Sequence, residues 1–250
     1  MAKKGFLKHA FEVIENSNIL IEVVDARFPF LSRNTEIEEL IKKKGKKLLI
    51  VLNKADLVKK ELLEKEKKIL EKEFPCIIFS AKKKFGLKNL RKTIGILSEK
   101  KKCLVGIIGF PNTGKSSLIN ALTGKHAALT GFSSGFTKGM QLVKLTKKIK
   151  LIDSPGIIPF NEKNEFLLAL ISAKTIEKIK DPVGVALQLI EFLQKTTNAL
   201  QKFGITKEMS SEKALELIAF KKKKLLKEGK PDLNNAAKIL ILEWQKNKLK

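Results

Sequence analysis

The sequence predicts an α/β domain, a mostly parallel sheet with helices on both faces, followed by a small all-α C-terminal domain. Three observations carry this expectation. Short apolar runs at residues 19–24, 48–52, 76–79 and 103–108 alternate with amphipathic stretches of helical spacing. The octet Gly109-Phe110-Pro111-Asn112-Thr113-Gly114-Lys115-Ser116 lies between one of those runs and the start of a helix, and it matches G-x-x-x-x-G-K-[ST] at every fixed position. From Asn161 onward the pattern is helical only. The expected division is residues 1–162 for the α/β domain and 163–250 for the helical one.

Each element has a local reason. Phe6, Leu7, Ala10, Phe11 and Ile14 have helical spacing, broken by Asn16-Ser17-Asn18. Residues 19–24 form a strand interrupted only by Glu22, and Pro29 stops the loop that follows from extending it. Residues 35–44 read as a helix capped near Asn34 and ended by Gly45. Residues 47–52 are continuously apolar after Lys47, as a buried parallel strand requires. A charged helix over 58–73, a strand over 76–79 after Pro75, a helix over 87–97 and a polar connector over 98–102 lead to the strand at 103–108. Residues 117–122 open the next helix. Residues 126–140 are rich in Gly, Ser and Thr without periodicity and read as a switch segment, followed by a hairpin of 140–145 and 149–152 about Lys147-Lys148. Helices are expected over 165–179, 183–195, 211–227 and 233–246, split by Asp181-Pro182, Phe203-Gly204 and Gly229-Lys230-Pro231.

The octet at 109–116 has the chemistry of a phosphate cradle. Its glycines let the backbone turn tightly so that N–H groups converge on an anion. Lys115 adds a full charge against β- and γ-phosphates, and the Ser116 hydroxyl can ligate Mg²⁺. After the strand at 47–52 comes Asn53-Lys54-Ala55-Asp56, the pattern N-K-x-D. A carboxylate there can accept from the N1–H and exocyclic amine of guanine, a donor pair adenine lacks on that edge. Asn53 supports the loop and approaches the base; the Lys54 stem is expected over the purine ring. Ser80-Ala81-Lys82 follows one strand later and fits a loop whose backbone N–H meets the guanine O6. Asp153-Ser154-Pro155-Gly156 forms D-x-x-G: Asp153 would hold Mg²⁺ through a water, and the Gly156 N–H would meet the γ-phosphate. Thr137 is the chosen switch threonine for Mg²⁺, with Thr130, Ser133 and Ser134 as competitors. The expected nucleotide-binding set is therefore Asn53, Lys54, Asp56, Ser80, Ala81, Lys82, Pro111, Asn112, Thr113, Gly114, Lys115, Ser116, Ser117 and Gly156. The catalytic set is Lys115, Thr137, Asp153 and Gly156.

Composition narrows the class further. The net charge of +25 over 250 residues is spread along the chain, which implies attraction to a polyanion, or else a solvated lysine-rich surface. Lys221, Lys222, Lys223, Lys224, Lys227 and Lys230 form the densest cluster and are RNA-phosphate candidates, with a solvated helix end as the alternative. Two cysteines, Cys76 and Cys103, exclude a disulfide framework and a four-cysteine zinc site. No apolar run reaches the length of a membrane span and no signal peptide is present, so a cytoplasmic protein with no membrane partner is expected. Trp244 reads as core rather than a base-stacking surface, and no RNA-binding consensus with paired aromatics is present.

Together the motifs resemble a GTPase domain in permuted order, with N-K-x-D and S-A-K ahead of the phosphate loop, Thr137 and D-x-x-G. Val24-Asp25-Ala26-Arg27-x-Pro29 and Ser32-Arg33-Asn34 look like the "DARxP…SRN" signature of the YlqF/YawG-type circularly permuted GTPases. The resemblance is specific over residues 19–160 and looser beyond. It implies GTP and GDP as ligands, Mg²⁺ as cofactor, and assembly of the large ribosomal subunit through ribosomal RNA or the pre-ribosomal particle. GTP hydrolysis would be stimulated on that particle, with the protein a monomer off the ribosome. Two departures matter. Ile157 stands where Ras-like enzymes place a water-orienting glutamine, so intrinsic turnover should be low and help must come from an RNA group, another residue or a cation. Asn112 resembles the asparagine that holds K⁺ in cation-stimulated relatives; the alternative is a loop asparagine bonding its own backbone. The aromatic-Pro-Gly-His segment of bacterial members is missing, and His9 reads as a surface histidine before a catalytic one. Arg27 reads as holding its loop before serving as an arginine finger. Other readings are a nucleotide-dependent RNA-binding module with negligible turnover, or a GTPase of small-subunit maturation. The permuted GTPase of that second niche carries an N-terminal OB barrel and a zinc insert that this sequence does not match.

Overall fold

A computed structural model describes residues 11–99, 101–124, 129–130, 141–153 and 164–249. The chain divides into two compact units, Met1–Asn161 and Glu162–Lys250.

In the first unit, seven strands among the described residues form one sheet: β1 (Ile19–Asp25), β2 (Lys47–Asn53), β3 (Cys76–Ile78), β4 (Cys103–Ile108), β5 (Leu129–Thr130), β6 (Gln141–Lys144) and β7 (Ile149–Asp153), in spatial order β3-β2-β1-β4-β7-β6-β5. The five strands from β3 to β7 in that order run parallel; β6 and β5 add antiparallel pairs at one edge. β1 is buried along its whole length, which is why it is apolar on both faces. Ile19, Ile21 and Val23 pack with Val105, Ile107, Leu118 and Leu122 on one side, while Leu20 meets Ile37, Ile41 and Ile108 on the other. Each such side chain, fully buried, is worth about 1.5–3 kcal/mol.

The helices α1 (Thr35–Lys43), α2 (Lys60–Leu70), α3 (Leu87–Leu97) and α4 (Lys115–Thr123) connect the parallel strands. α1 begins where Asn34 Oδ1 accepts from the Ile37 N–H (3.2 Å) and stops before Gly45, whose φ of 63° no side-chain-bearing residue adopts cheaply. The connection from β1 runs to β2 on one side, while the chain leaving β4 runs toward β7 on the other, so the direction of winding reverses between β1 and β4. In open α/β sheets such a switch point, at the carboxyl ends of the strands, is where ligands sit. The loops after β1, β2, β3 and β4 all emerge at that edge, and β7 ends there with Asp153.

The second unit contains α5 (Glu165–Leu170), α6 (Pro182–Thr196), α7 (Ser211–Lys221) and α8 (Leu233–Gln245). α6 and α8 start on aspartate caps: Asp181 Oδ1 accepts from the Gly184 N–H and Asp232 Oδ1 from the Asn235 N–H, both 2.9 Å. Trp244 is core, as expected: its Nε1–H donates to the Leu170 carbonyl (2.9 Å) and its ring meets Phe192 edge-on at 6.3 Å.

Two helices are shorter than their periodicity suggests. The one expected over 165–179 stops at Leu170, because Ser172 turns to φ 60° and the Leu168 carbonyl accepts from Ala173 and Lys174 instead. The one expected over 211–227 stops at Lys221. Lys223 turns to φ 53°, and the Lys224 N–H caps the Ala219 carbonyl (2.8 Å).

Candidate functional site

The loop between β4 and α4 is built by close backbone approach. Gly109 has φ 139°, and a Cβ there would lie 2.4 Å from the Val23 carbonyl of β1. Gly114 has φ 101°, and a Cβ there would lie 2.1 Å from Asn53 Nδ2. Neither position admits a side chain. Between them Asn112 takes φ 60°, and the buried Thr113 donates its hydroxyl to the Phe110 carbonyl (2.9 Å). Lys115 is the first residue of α4, so the loop's anion site is also a helix N-terminus. Its ammonium is buried and donates to the carbonyls of Gly109 (3.1 Å) and Phe110 (2.8 Å). Burial pulls its pKa down to about 8, against the opposing pull of Asp153. Pro111 is half-buried, and Asn112, Ser116 and Ser117 face solvent.

Ser116 Oγ lies 3.5 Å from Asp153 Oδ2. A hydroxyl and a carboxylate at this separation, beside a phosphate cradle, are the hard oxygen donors that Mg²⁺ takes, directly or through water. The pair fits the metal. Thr137, Gly156, Ile157, His9, Ser133 and Ser134 lie outside the described residues, and of Thr130 only the backbone is described.

Among the described residues, Asn53 fastens the N-K-x-D and S-A-K loops to this loop. Asn53 is buried; its Nδ2 donates to the Thr113 carbonyl (2.8 Å), and its Oδ1 accepts from the Ala81 N–H (3.2 Å). It thus joins the loops after β2, β3 and β4. Asp56 is exposed, and its Oδ1 accepts from Ser80 Oγ (2.5 Å), which also accepts from the Lys83 N–H (3.1 Å). The Ser80 hydroxyl thus holds one oxygen of an exposed carboxylate. Of the loop whose backbone N–H was expected at a guanine O6, the Ala81 N–H is engaged by Asn53; Lys82 is exposed. Lys54 has φ 64°, and its ammonium is 2.7 Å from Asp25 Oδ2.

Sequence reasoning brought these residues together by motif but gave no site role to Asp25, Ser32 or Arg33. Ser32 Oγ accepts from the Asp25 N–H (2.9 Å) and donates to the Phe28 carbonyl (2.8 Å). Arg33 pairs with Glu38 and with Glu73. The Asn34 N–H donates to the buried Glu22 (2.8 Å). The available signal was one acidic residue, Glu22, inside an otherwise apolar strand, with Asp25 closing it.

In the second unit the lysine cluster is not one helical face. Lys222 pairs with Glu243 (2.5 Å) and lies over the Phe203 ring, Lys230 pairs with Glu228 (2.9 Å), and Lys221 reaches the Lys202 carbonyl (3.5 Å). Lys223, Lys224 and Lys227 follow the end of α7, Lys223 and Lys227 exposed and Lys224 half-buried.

A P-loop of this geometry, fastened to an N-K-x-D loop that precedes it in the chain, defines a circularly permuted GTPase fold. A family model described as RsgA GTPase matches residues 30–162, and one described as 50S ribosome-binding GTPase matches residues 104–225. The chain belongs to the YlqF-type circularly permuted GTPases. It superposes on GNP-bound YlqF from T. maritima with a TM-score of 0.68 and 26% identity, covering 99% of this chain and 95% of that one. An uncharacterized GTP-binding protein of Methanocaldococcus jannaschii is 43% identical over 95% of this chain and 64% of its own length. Guanine nucleotide-binding protein-like 3 of Homo sapiens is 35% identical over 97% of this chain and 49% of its own. The chain thus spans about half to two thirds of these curated relatives.

Proposed function

We propose that the protein is a GTP-binding and GTP-hydrolysing switch that acts in large ribosomal subunit assembly by binding ribosomal RNA or the precursor particle. The observation that carries the nucleotide half is Asn53, whose two side-chain bonds join the phosphate loop to the N-K-x-D and S-A-K loops. Asp56 reads the guanine edge, and Lys115 exchanges its carbonyl partners for β- and γ-phosphate oxygens, a gain because a buried cation is best satisfied by an anion. Ser116 and Asp153 hold Mg²⁺, which when bound offsets the charge that develops on the phosphates; Thr137 and Gly156 complete the γ-phosphate contacts by motif.

The ribosomal half is supported by the distributed charge of +25, by the family model described as 50S ribosome-binding GTPase, and by the exposed Lys223 and Lys227. Ile157 cannot polarise water, so turnover is slow alone and rises on the particle, with K⁺ at Asn112 as a candidate activator. A cationic group at the transition state is worth roughly 10³–10⁵ in rate in such enzymes. The protein is assigned to the cytoplasm and read as a monomer off the ribosome. No helix among the described residues is long and apolar enough to cross a membrane.

Co-sedimentation with large-subunit precursors in a GTP analogue and in GDP tests the reading. Binding in the analogue that weakens in GDP is expected; equal and negligible binding in both contradicts it. Precursor particles and K⁺ that bind but stimulate no turnover would favour the RNA-binding module instead.

A further inference from the structure

Asp25 closes β1 one strand away from the base-reading loop. It is wholly buried, and its carboxylate carries two cations. Oδ1 accepts from the Arg27 backbone N–H (3.1 Å) and Nε (2.9 Å); Oδ2 accepts from an Arg27 terminal nitrogen (2.7 Å) and from Lys54 Nζ (2.7 Å). The backbones agree with this pairing, since Asp25 is in register with Asn53 and the Ala26 N–H donates to the Asn53 carbonyl (2.8 Å). Lys54 sits between Asn53 and Asp56, the two residues that fasten and read the base site. It adopts a left-handed backbone, which sends its side chain back toward Asp25. A buried ion pair adds little net stability over apolar groups of the same shape, so its worth lies in fixing one geometry.

We propose that Asp25 is a positioning residue of the guanine site, acting through Lys54: it anchors the ammonium so that the four-carbon stem is held as a fixed wall for the purine. Arg27 holds Asp25 in orientation through two parallel bonds. That assigns Arg27 to the base side of the site, as a support for this anchor and not as a cation delivered to the transferring phosphate. A lysine stem released from its anchor regains rotamer freedom, which nucleotide binding must then remove. The loss is on the base side, so it is equal for GDP and for a GTP analogue.

This inference rests on the guanine reading of Asp56, and a double-mutant cycle separates the two. GDP and GTP-analogue affinities are measured on the full chain for wild type, Asp25→Asn, Lys54→Met and the double variant, with thermal melts of each. Asp25→Asn and Lys54→Met are each expected to lose about tenfold for both nucleotides, as coupled members of one ion-pair network do, and the double variant to lose no more than Lys54→Met alone. Additive losses, or an intact affinity in folded Asp25→Asn, overturn the inference. If Asp25→Asn does not fold, Lys54→Arg against Lys54→Gln carries the test. The arginine keeps a partner for Asp25 and should bind GDP within about threefold of wild type, where glutamine loses about tenfold; equal affinities overturn it. Asp56→Asn serves as control: if it leaves guanine preference unchanged, the guanine reading itself fails, whatever Asp25 does.

Discussion

Asn53 Nδ2 donates to the Thr113 carbonyl at 2.8 Å across sixty residues of sequence. The two residues belong to motifs that an unpermuted GTPase chain meets in the opposite order. The sheet makes this possible: β2 and β4 lie on either side of β1, and their C-terminal ends open at the same edge. Cutting a chain and rejoining it elsewhere leaves such an edge unchanged. Asn53→Ala leaves the buried Thr113 carbonyl without this partner, a cost of about 1–3 kcal/mol, and frees the half-buried Ala81 N–H. A thermal melt should show that loss together with a fall in GDP affinity. Gly114→Ala, whose Cβ would lie 2.1 Å from Asn53 Nδ2 at a φ of 101°, should displace the Asn53 amide and weaken GDP binding; unchanged binding would mean that this amide is dispensable to the pocket.

The ammonium of Lys115 makes nucleotide binding depend on pH. Burial lowers its pKa to about 8, while an arriving phosphate raises it again. Binding therefore takes up a proton between pH 8 and the pKa of the complex, and affinity, greatest below pH 8, falls as pH rises through that window. Calorimetry of GDP binding at pH 8 in two buffers of different ionisation enthalpy should register the uptake, and Lys115→Arg, always charged, should remove it. Without nucleotide the sign for folding is opposite. The unfolded lysine keeps its proton up to its ordinary pKa, so the burial penalty is full below pH 8 and is relieved as pH rises above it.

Glu22 behaves as a buried acid. Burial, and next the negative charge of Glu38, push its pKa well above the carboxylate range, against the Asn34 N–H and Arg33. The folded chain then binds a proton that the unfolded chain gives up near pH 4.5, so Glu22 costs stability increasingly as pH rises above that value. Glu22→Gln keeps the acceptor for Asn34 and carries no charge. Denaturant titrations should find the variant near wild type at about pH 4 and more stable at about pH 8. A gap that does not widen with pH would show that Glu22 is ionised in the folded protein.

Much of the fold was legible because buried parallel strands must be continuously apolar and because each nucleotide loop follows such a strand. Residues 47–52 led into Asn53, and residues 103–108 into the P-loop. What stayed hidden was what depends on side-chain direction. Nothing in the sequence indicates that Lys54 turns left-handed to meet Asp25, or that the Ala81 N–H is taken by Asn53. Helix ends were misjudged where a residue other than glycine takes positive φ, as at Ser172 and Lys223. Neither serine nor lysine advertises such a turn as glycine does.

The lysines near α7 separate into two kinds. Lys223→Glu with Lys227→Glu should weaken binding to precursor RNA, with little effect on the melt. The log–log salt slope should fall by about 0.7–0.9 for each phosphate that is no longer neutralised. Lys222→Glu breaks the pair with Glu243 and should lower the melting temperature as well. Filter binding across a salt series, paired with melts, checks both; equal RNA affinity in the Lys223/Lys227 variant would move the RNA-binding surface elsewhere.

The central claim is that residues 53–56 and 109–116 close a single guanine-nucleotide pocket. Competition binding of GDP, ADP and xanthosine diphosphate to wild type and to Asp56→Asn tests it most directly. The account predicts that wild type selects GDP and that Asp56→Asn transfers the preference to the xanthine nucleotide, because the substituted amide donates where the carboxylate accepted. Undiminished GDP affinity in Asp56→Asn, or ADP binding as tightly as GDP in wild type, would contradict it.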